Sequence, residues 1–208
     1  MSRKFYFVNM YLTMTEKGLP SNAKLVFKGR IFNVYQWEQE MYDGKKEIFE
    51  VLKRPDTSQV LATIGNKILI LEQEQPNTGK FISLPGGRLL DDEDPLDGAK
   101  RELLEETGYE SADWTLWKTF KPIPKVFFNI FIYLAKNCIL RQPPNPESGE
   151  KIKPMLVTFD EFLMLSDNPE AFRQKELASF LMELRLHTDK KKRFKNMLWP
   201  KSFHSIDR

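Results

Sequence analysis

The sequence predicts an α/β sandwich preceded by an N-terminal lobe of antiparallel strands. Strand-like segments rich in branched and aromatic residues occupy residues 31–72 and 114–135, and two helical patterns follow residues 94 and 168. With 208 residues and 41% hydrophobic content, the chain can bury one sizeable core. We expect a strand lobe over residues 1–57, a main domain over 58–188 and a basic tail over 189–208.

The strand lobe is predicted mainly from a hairpin. Residues 31–41 and 47–53 are joined by Tyr42-Asp43-Gly44-Lys45, and an Asp-Gly pair between strand-like segments favours a tight hairpin turn. The opening segment MSRKFYFVNMYLTM also resembles a strand, and the strands at 60–64 and 67–72 lead into the central sheet.

The second half alternates further strands with helices. We expect strands at 114–120, 127–135 and 155–159, a loop at RQPPNPESGEK and a short helix at 160–165. A longer helix would start with Asn168 as its cap and Pro169 in its first turn. Its apolar face would consist of Leu177, Phe180, Leu181 and Leu184.

Charge and cysteine content set broad limits on partners and location. The net charge of +3 implies neither a nucleic acid nor an anionic membrane, and no apolar stretch approaches the roughly 20 residues that span a bilayer. The single Cys138 fits a reducing compartment, so we expect a soluble, cytoplasmic protein. In the basic tail, Phe194, Trp199 and Phe203 favour docking on the protein body, with nucleic-acid contact as the alternative.

The helix after Asp94 carries clustered carboxylates. Asp94-Pro95 predicts its start and Gly108 its end, and Glu102, Glu105 and Glu106 then share one arc. Like charges at this spacing repel each other, and a Mg²⁺ or Mn²⁺ ion would relieve the repulsion. Gly98 is expected in the same arc, where it would leave room for the ions. The alternative is a solvated acidic face. The core face would consist of Leu96, Ala99, Leu103 and Thr107.

A longer pattern favours the metal site. Five residues separate Gly87 from Glu93, and seven residues separate Glu93 from the segment RELLEETGY. This pattern resembles the Nudix box, G-x5-E-x7-R-E-U-x-E-E-x-G-U, where U is a large apolar residue. The last position, occupied here by Tyr109, usually has an aliphatic residue in that family.

The resemblance implies a fold, an activity and a set of site residues. Nudix members share an α/β/α sandwich with a mixed central sheet and hydrolyse a nucleoside diphosphate linked to another moiety. By resemblance, Glu102, Glu105, Glu106 and the Gly86 carbonyl hold Mg²⁺ or Mn²⁺, while Glu93 and Arg101 have structural roles. Gly87, Arg88 and Arg54 are expected on the substrate side. The residue that activates the water is left open among Glu102, Glu147 and Glu150, with Glu150 preferred.

Features outside the box indicate a subfamily. The strand lobe, the sequence EVLKRPDTSQVLA and Pro124 look like those of ADP-ribose pyrophosphatases and nucleotide-sugar hydrolases, which implies a homodimer acting on a small nucleotide. The chain departs from that subfamily at LEQEQ (71–75), where an arginine is expected in place of Gln75, and at SLPGG (83–87). The alternatives are a Nudix enzyme acting on RNA 5′ ends or dinucleoside polyphosphates, and a non-catalytic Nudix-like sensor.

Overall fold

The computed structural model describes residues 19–76, 78–121, 123–146, 149 and 151–200. These residues form two compact units. One contains the described residues up to Arg54 together with Ile123–Phe128, and the other contains the rest. The predicted strand at the start of the chain and the tail aromatic Phe203 lie outside the described residues.

The two units contain thirteen strands and four α-helices among the described residues. The strands are β1 (Lys24–Lys28), β2 (Asn33–Glu40), β3 (Lys46–Lys53), β4 (Thr57–Ile64), β5 (Lys67–Gln75), β6 (Gly79–Ser83), β7 (Gly86–Arg88), β8 (Tyr109–Glu110), β9 (Asp113–Phe120), β10 (Val126–Phe127), β11 (Ile130–Lys136), β12 (Ile139–Leu140) and β13 (Lys151–Val157). The helices are α1 (Pro95–Thr107), α2 (Phe159–Met164), α3 (Lys175–Leu186) and α4 (Thr188–Leu198).

The smaller unit is a four-stranded sheet in the order β1-β2-β3-β10. Its centre is the β2–β3 hairpin, in which Asn33 pairs with Lys53 and Glu40 with Lys46, as the Asp-Gly turn predicts. Trp37 and Val51 are buried and form a small core with Leu19. Partly buried side chains, including Tyr35 and Phe49, pack against this core, whereas all five residues of β1 are exposed.

The larger unit is built on a mixed sheet in the order β13-β5-β4-β11-β9, with β6 added to β5 and β7 to β4. Strand β11 runs parallel to β4, and the pairs β4–β5, β5–β13 and β9–β11 are antiparallel. Strand β4 is buried from Ser58 to Thr63, since it lies inside the sheet and both of its faces are covered.

Helices lie on both faces of this sheet. On one face, Ala99 and Leu103 of α1 pack against Val60 of β4 and Tyr133 of β11. On the other, Trp117 of β9 contacts aromatic side chains of α3 and α4. The α/β/α sandwich with a mixed central sheet is therefore confirmed.

Local signals predicted α1 correctly. Asp94 caps its first turn by accepting a hydrogen bond from the Leu96 backbone N–H at 2.8 Å, and Gly108 ends it in the left-handed conformation. Of the predicted core face, Ala99, Leu103 and Thr107 are buried and Leu96 is half-buried.

Three predicted boundaries are wrong, two of them because long-range contacts override local signals and one, at Phe159, because a local helix cap begins α2 there. The strand expected over 127–135 is interrupted at Asn129, whose backbone and side-chain N–H groups donate to Asp56. The strand expected to include Phe159 ends at Val157, and Phe159 instead begins α2, which Thr158 caps. Helix α3 begins at Lys175, because residues 171–173 pair with Ile82 of β6 before it.

The basic tail is part of the folded body as far as it is described. Phe194 of α4 is 4% exposed and its ring centroid lies 5.1 Å from those of Trp117 and Phe180. Trp199 packs against Phe159 and donates its indole N–H to the Gly65 carbonyl at 2.6 Å. These contacts confirm docking of Phe194 and Trp199 on the body.

Cys138 behaves as a small buried hydrophobic residue. It belongs to the core beside α1, and burial raises the pKa of its thiol to about 11. Within the described residues, none of the helices has the length and hydrophobicity that crossing a membrane requires.

A buried polar pair on the α3 face of the sheet gives a stability prediction. Gln59 of β4 hydrogen-bonds to Glu176 in the first turn of α3. The Oε1 atom of each side chain is buried without a hydrogen-bond partner among the described residues. Burial raises the pKa of the Glu176 carboxyl, so the fold holds its proton more tightly than the unfolded chain does. The group is neutral in both states below its ordinary pKa, and stability is lost as pH rises towards the raised pKa.

Glu176→Gln should therefore stabilise the protein at pH 8 by about 1 kcal/mol, since an uncharged amide replaces a buried carboxylate and adds a donor. At pH 4 the gain should shrink, because the native carboxyl is protonated there. Urea unfolding at both pH values measures the effect. Glu170→Gln is the exposed control, expected to change the free energy of unfolding by less than about 0.5 kcal/mol. Loss of stability at pH 8 would contradict the prediction.

Candidate active site

A glycine turn leads from β6 through β7 to the start of the Nudix-like pattern. Gly86 has φ +142°, and a Cβ there would lie 2.3 Å from the Ser58 carbonyl oxygen. At Gly87 a Cβ would lie 2.5 Å from Glu102 Oε1. Any larger residue would block these two approaches, so the glycines let the turn lie against β4 and against the acidic face of α1.

Arg101 links the carboxylates of this face. Its guanidinium forms a bidentate pair with Glu93, with Nε–Oε1 and Nη2–Oε2 distances of 2.8 and 2.9 Å. Its Nη1 donates to Glu102 at 2.8 Å and to Glu105 at 3.1 Å, and Nη2 donates to the Arg88 carbonyl at 3.3 Å. These bonds hold the pKa of Glu93 below its usual range and raise the pKa of Arg101. The bridging geometry expected of Arg101 is present.

The three box glutamates differ in environment. Glu105 is the most open, with 43% of its side chain exposed, whereas the Glu102 side chain is 15% exposed. Glu106 is only 4% exposed as a residue. Its Oε2 accepts a hydrogen bond of 2.7 Å from the Gly86 backbone N–H, so the glycine turn and α1 are joined at this carboxylate.

Gln73 of β5 also contacts Glu106. The sequence did not indicate Gln73 as a site residue. Its Nε2 donates to Ser83 Oγ at 2.9 Å and approaches Glu106 Oε1 at 3.4 Å, and all three residues are buried. The alternation of side chains along β5 indicates that Gln73 faces the core, because it falls on the same face as the apolar Leu71. A glutamine at a predicted core position requires polar partners.

The chemistry of this donor set fits a hard divalent cation. Glu102, Glu105 and Glu106 supply carboxylate oxygens, the ligand type preferred by Mg²⁺ and Mn²⁺. The Glu102 carboxylate lies directly against the Gly87 backbone, where a Cβ would displace it. In the part of the chain that the structure describes, no three acidic, histidine or cysteine side chains form a preassembled metal cluster. The carboxylates are instead divided between Arg101 and the Gly86 N–H.

The remaining predicted site residues are distributed differently. Arg54 belongs to the smaller unit, where its guanidinium lies 4.6 Å from the Phe128 ring centroid. Arg88 is exposed at the end of β7. The expectation that Gly98 faces the ions is wrong, because a Cβ there would contact Leu89 at 2.3 Å and Glu93 at 3.0 Å. Glu147 and Glu150 lie outside the described residues.

A shallow cleft of about 410 Å³ lies elsewhere on the larger unit. It is lined mainly by α3 and the turn before it, including Ser166, Met182 and Leu186, and it contains none of the box residues. The cleft and the box are therefore separate features of the larger unit.

An α/β/α sandwich with a glycine turn and an acidic helix is the arrangement of the Nudix class of hydrolases. The family model described as NUDIX domain matches residues 53–179, more than half of the chain. The chain belongs to the Nudix family.

Curated relatives and a solved structure agree with this assignment. The chain is 30% identical over 154 residues to an ADP-ribose pyrophosphatase of Bacillus subtilis, covering 72% of this chain and 83% of the relative. It is 30% identical over 142 residues to a methanol dehydrogenase activator of Bacillus methanolicus, covering 66% and 77%. A crystal structure of an ADP compounds hydrolase superposes with a TM-score of 0.66 at 21% identity, covering 83% and 95%, and supports the fold.

Proposed function

We propose that the protein hydrolyses the diphosphate linkage of ADP-ribose or a nucleotide sugar, with Mg²⁺ or Mn²⁺ bound by the acidic face of α1. The carrying observation is the arrangement of Glu102, Glu105 and Glu106 around Arg101 and the Gly86 N–H. The similarity to a named ADP-ribose pyrophosphatase supports the choice of substrate.

Each box residue has a separate task in this proposal. Glu102, Glu105 and Glu106, with the Gly86 carbonyl, would hold the metal, which when bound polarises phosphoryl oxygen and acidifies water. Arg101 limits the rotamers of Glu102 and Glu105, and Glu93 orients Arg101 through the bidentate pair. Carboxylates alone would repel a diphosphate, so substrate would bind only to the metal-loaded site.

We propose Glu150 as the group that accepts the proton from the attacking water, with Glu147 and Glu102 as alternatives. The loop preceding Glu147 is held near α1, because the Asn145 backbone N–H donates to the Glu105 carbonyl at 2.7 Å. The Arg141 N–H likewise donates to the Gly108 carbonyl at 2.9 Å. An anchored loop start favours a base from this loop.

We further propose that the strand lobe mediates a cytoplasmic homodimer and that Arg54, Gly87 and Arg88 contact the substrate. Support for the dimer comes from several large apolar side chains exposed on the smaller unit. These are Leu25, Val26, Phe27, Ile31, Phe32 and Ile48. Apolar surface of this kind is common at subunit interfaces.

A second candidate function is activation of another enzyme. The observation that favours it is the match to a methanol dehydrogenase activator, which is also 30% identical. Adding the purified chain to a methanol dehydrogenase and measuring the dehydrogenase rate tests this candidate, and an unchanged rate would reject it.

The test is a product assay on the purified full chain. ADP-ribose, nucleotide sugars, dinucleotide cofactors, dinucleoside polyphosphates and capped RNA are each incubated with Mg²⁺, Mn²⁺ or chelator, and nucleoside monophosphate is separated by chromatography. We expect release from ADP-ribose or a nucleotide sugar that chelator abolishes. No release from any substrate, or release unaffected by chelator, would reject the proposal. Preference for RNA or dinucleoside polyphosphates would reject the substrate assignment.

A further inference from the structure

The backbone fixes Arg173 beside the edge of the central sheet. Its N–H donates to the Ile82 carbonyl at 2.8 Å, and the Ile82 N–H donates to the Ala171 carbonyl at 2.7 Å. Between them Phe172, 1% exposed, forms a parallel bridge with Ile82. Residues 171–173 therefore act as a short additional strand beside β6, so the position of Arg173 does not depend on a loop.

The Arg173 side chain is oriented by two further contacts. Its guanidinium lies 4.9 Å from the ring centroid of Phe81, and its Nη1 donates to Gln75 Oε1 at 3.3 Å. Phe81 is the direct cross-strand partner of Gln73, so both side chains lie on the same face of the sheet. This is the face that Gln73 shares with Glu106 of α1.

Hydrogen bonds connect Arg173 to the candidate metal site. Gln75 receives the bond from Arg173 and donates through its Nε2 to Gln73 Oε1 at 3.3 Å. Gln73 in turn approaches Glu106 Oε1 at 3.4 Å. Three contacts and two side-chain amides thus link the guanidinium to a box carboxylate.

Arg173 has no carboxylate partner among the described residues, a property that it shares with the exposed Arg88 of β7. The Arg173 side chain is exposed and forms no ion pair among the described residues, whereas Arg101, Arg141 and Arg185 each do. A neighbouring cleft of about 190 Å³ contains Lys80, Lys151 and Lys153, but Glu72 and Glu74 line it too and offset their charge. An oriented guanidinium without a carboxylate partner is suited to an anionic ligand.

We infer that Arg173 is a substrate-binding residue that takes a phosphate group of the diphosphate substrate. The inference rests on the proposed function. Gln75 has no charge of its own but orients the positive charge that Arg173 supplies. Because the contact is made to bound substrate and not to the metal, it should govern substrate affinity more than turnover.

The test compares Arg173→Ala and Arg173→Lys with a control two residues away. Lys175→Ala removes an exposed cation that is paired with Glu170 and should leave KM within twofold. Arg173→Ala should raise KM for ADP-ribose by about tenfold with kcat within twofold, as expected for loss of one charge-assisted hydrogen bond. Arg173→Lys keeps the charge but loses the planar fork, and should raise KM less than the alanine change does.

Calorimetric titration of the same variants with a non-hydrolysable, methylene-bridged analogue of ADP-ribose in the presence of Mg²⁺ gives a readout that does not require hydrolysis. A lower affinity in Arg173→Ala, with Lys175→Ala unchanged, supports the inference. If the wild type hydrolyses ADP-ribose and both Arg173 variants keep its KM, the inference is overturned and the proposed function stands. If the wild type hydrolyses no substrate, the proposed function fails, and unchanged or absent binding in the titrations then overturns the inference as well.

Discussion

Glu106→Gln is expected to lower metal-dependent hydrolysis by more than about 100-fold, since even outer-shell partners of metal ligands cost 10–100-fold. The new amide oxygen can still accept the hydrogen bond from the Gly86 N–H, so the helix and turn should stay joined. Loss of the negative charge should weaken cation binding in a site that depends on carboxylates. Steady-state rates on the best substrate and Mn²⁺ titration by calorimetry measure both effects.

The matched control is Glu110→Gln, which removes an exposed carboxylate paired with Arg141. It should leave both rate and Mn²⁺ affinity within twofold. A Glu106→Gln variant that hydrolyses substrate at the wild-type rate would disprove the metal-ligand assignment. A variant that is inactive only because it is unfolded would be recognised by its lost cooperative unfolding transition.

Phe194→Ala is expected to destabilise the larger unit by about 3–5 kcal/mol, the usual cost of removing a buried aromatic ring. Phe194 lies among Trp117, Phe159 and Phe180, which come from both the sheet and the helices, and the substitution would leave a cavity between them. Urea unfolding followed by tryptophan fluorescence measures the change, because Trp117 is one of the neighbours.

Lys192→Ala serves as the control for the same helix. Lys192 is exposed, so its loss should change the free energy of unfolding by less than about 0.5 kcal/mol. If Phe194→Ala were as stable as the control, the tail would be dispensable for folding. RNA binding lost in Phe194→Ala at unchanged stability would instead favour the nucleic-acid role of the tail.

Features specified by neighbouring residues could be predicted from the sequence. Helix α1 has its cap, its Pro95 and its terminal Gly108 within fifteen positions, and the box residues lie on it or beside it. The Arg101–Glu105 pair follows from the same spacing, because residues four apart on a helix are neighbours, whereas the bonds to Glu93 and Glu102 do not follow from helix periodicity.

Features that depend on distant pairings could not be predicted. Asn168 and Pro169 form a plausible helix start, yet residues 171–173 pair with Ile82, about ninety positions earlier, and this delays α3 to Lys175. The same pairing brings Arg173 to Gln75. Local periodicity contains no information about which strand edge such a segment will join.

The Arg101 guanidinium pairs with Glu93, Glu102 and Glu105, and this affects the order in which the chain can fold and bind a cation. An internal counter-ion offsets the mutual repulsion of these acids while the polypeptide acquires its native shape. Helix α1 therefore need not wait for a cation in order to form. In the function proposed above, loading with Mg²⁺ or Mn²⁺ would be a later, reversible step, and the supply of the ion would set the fraction of active protein.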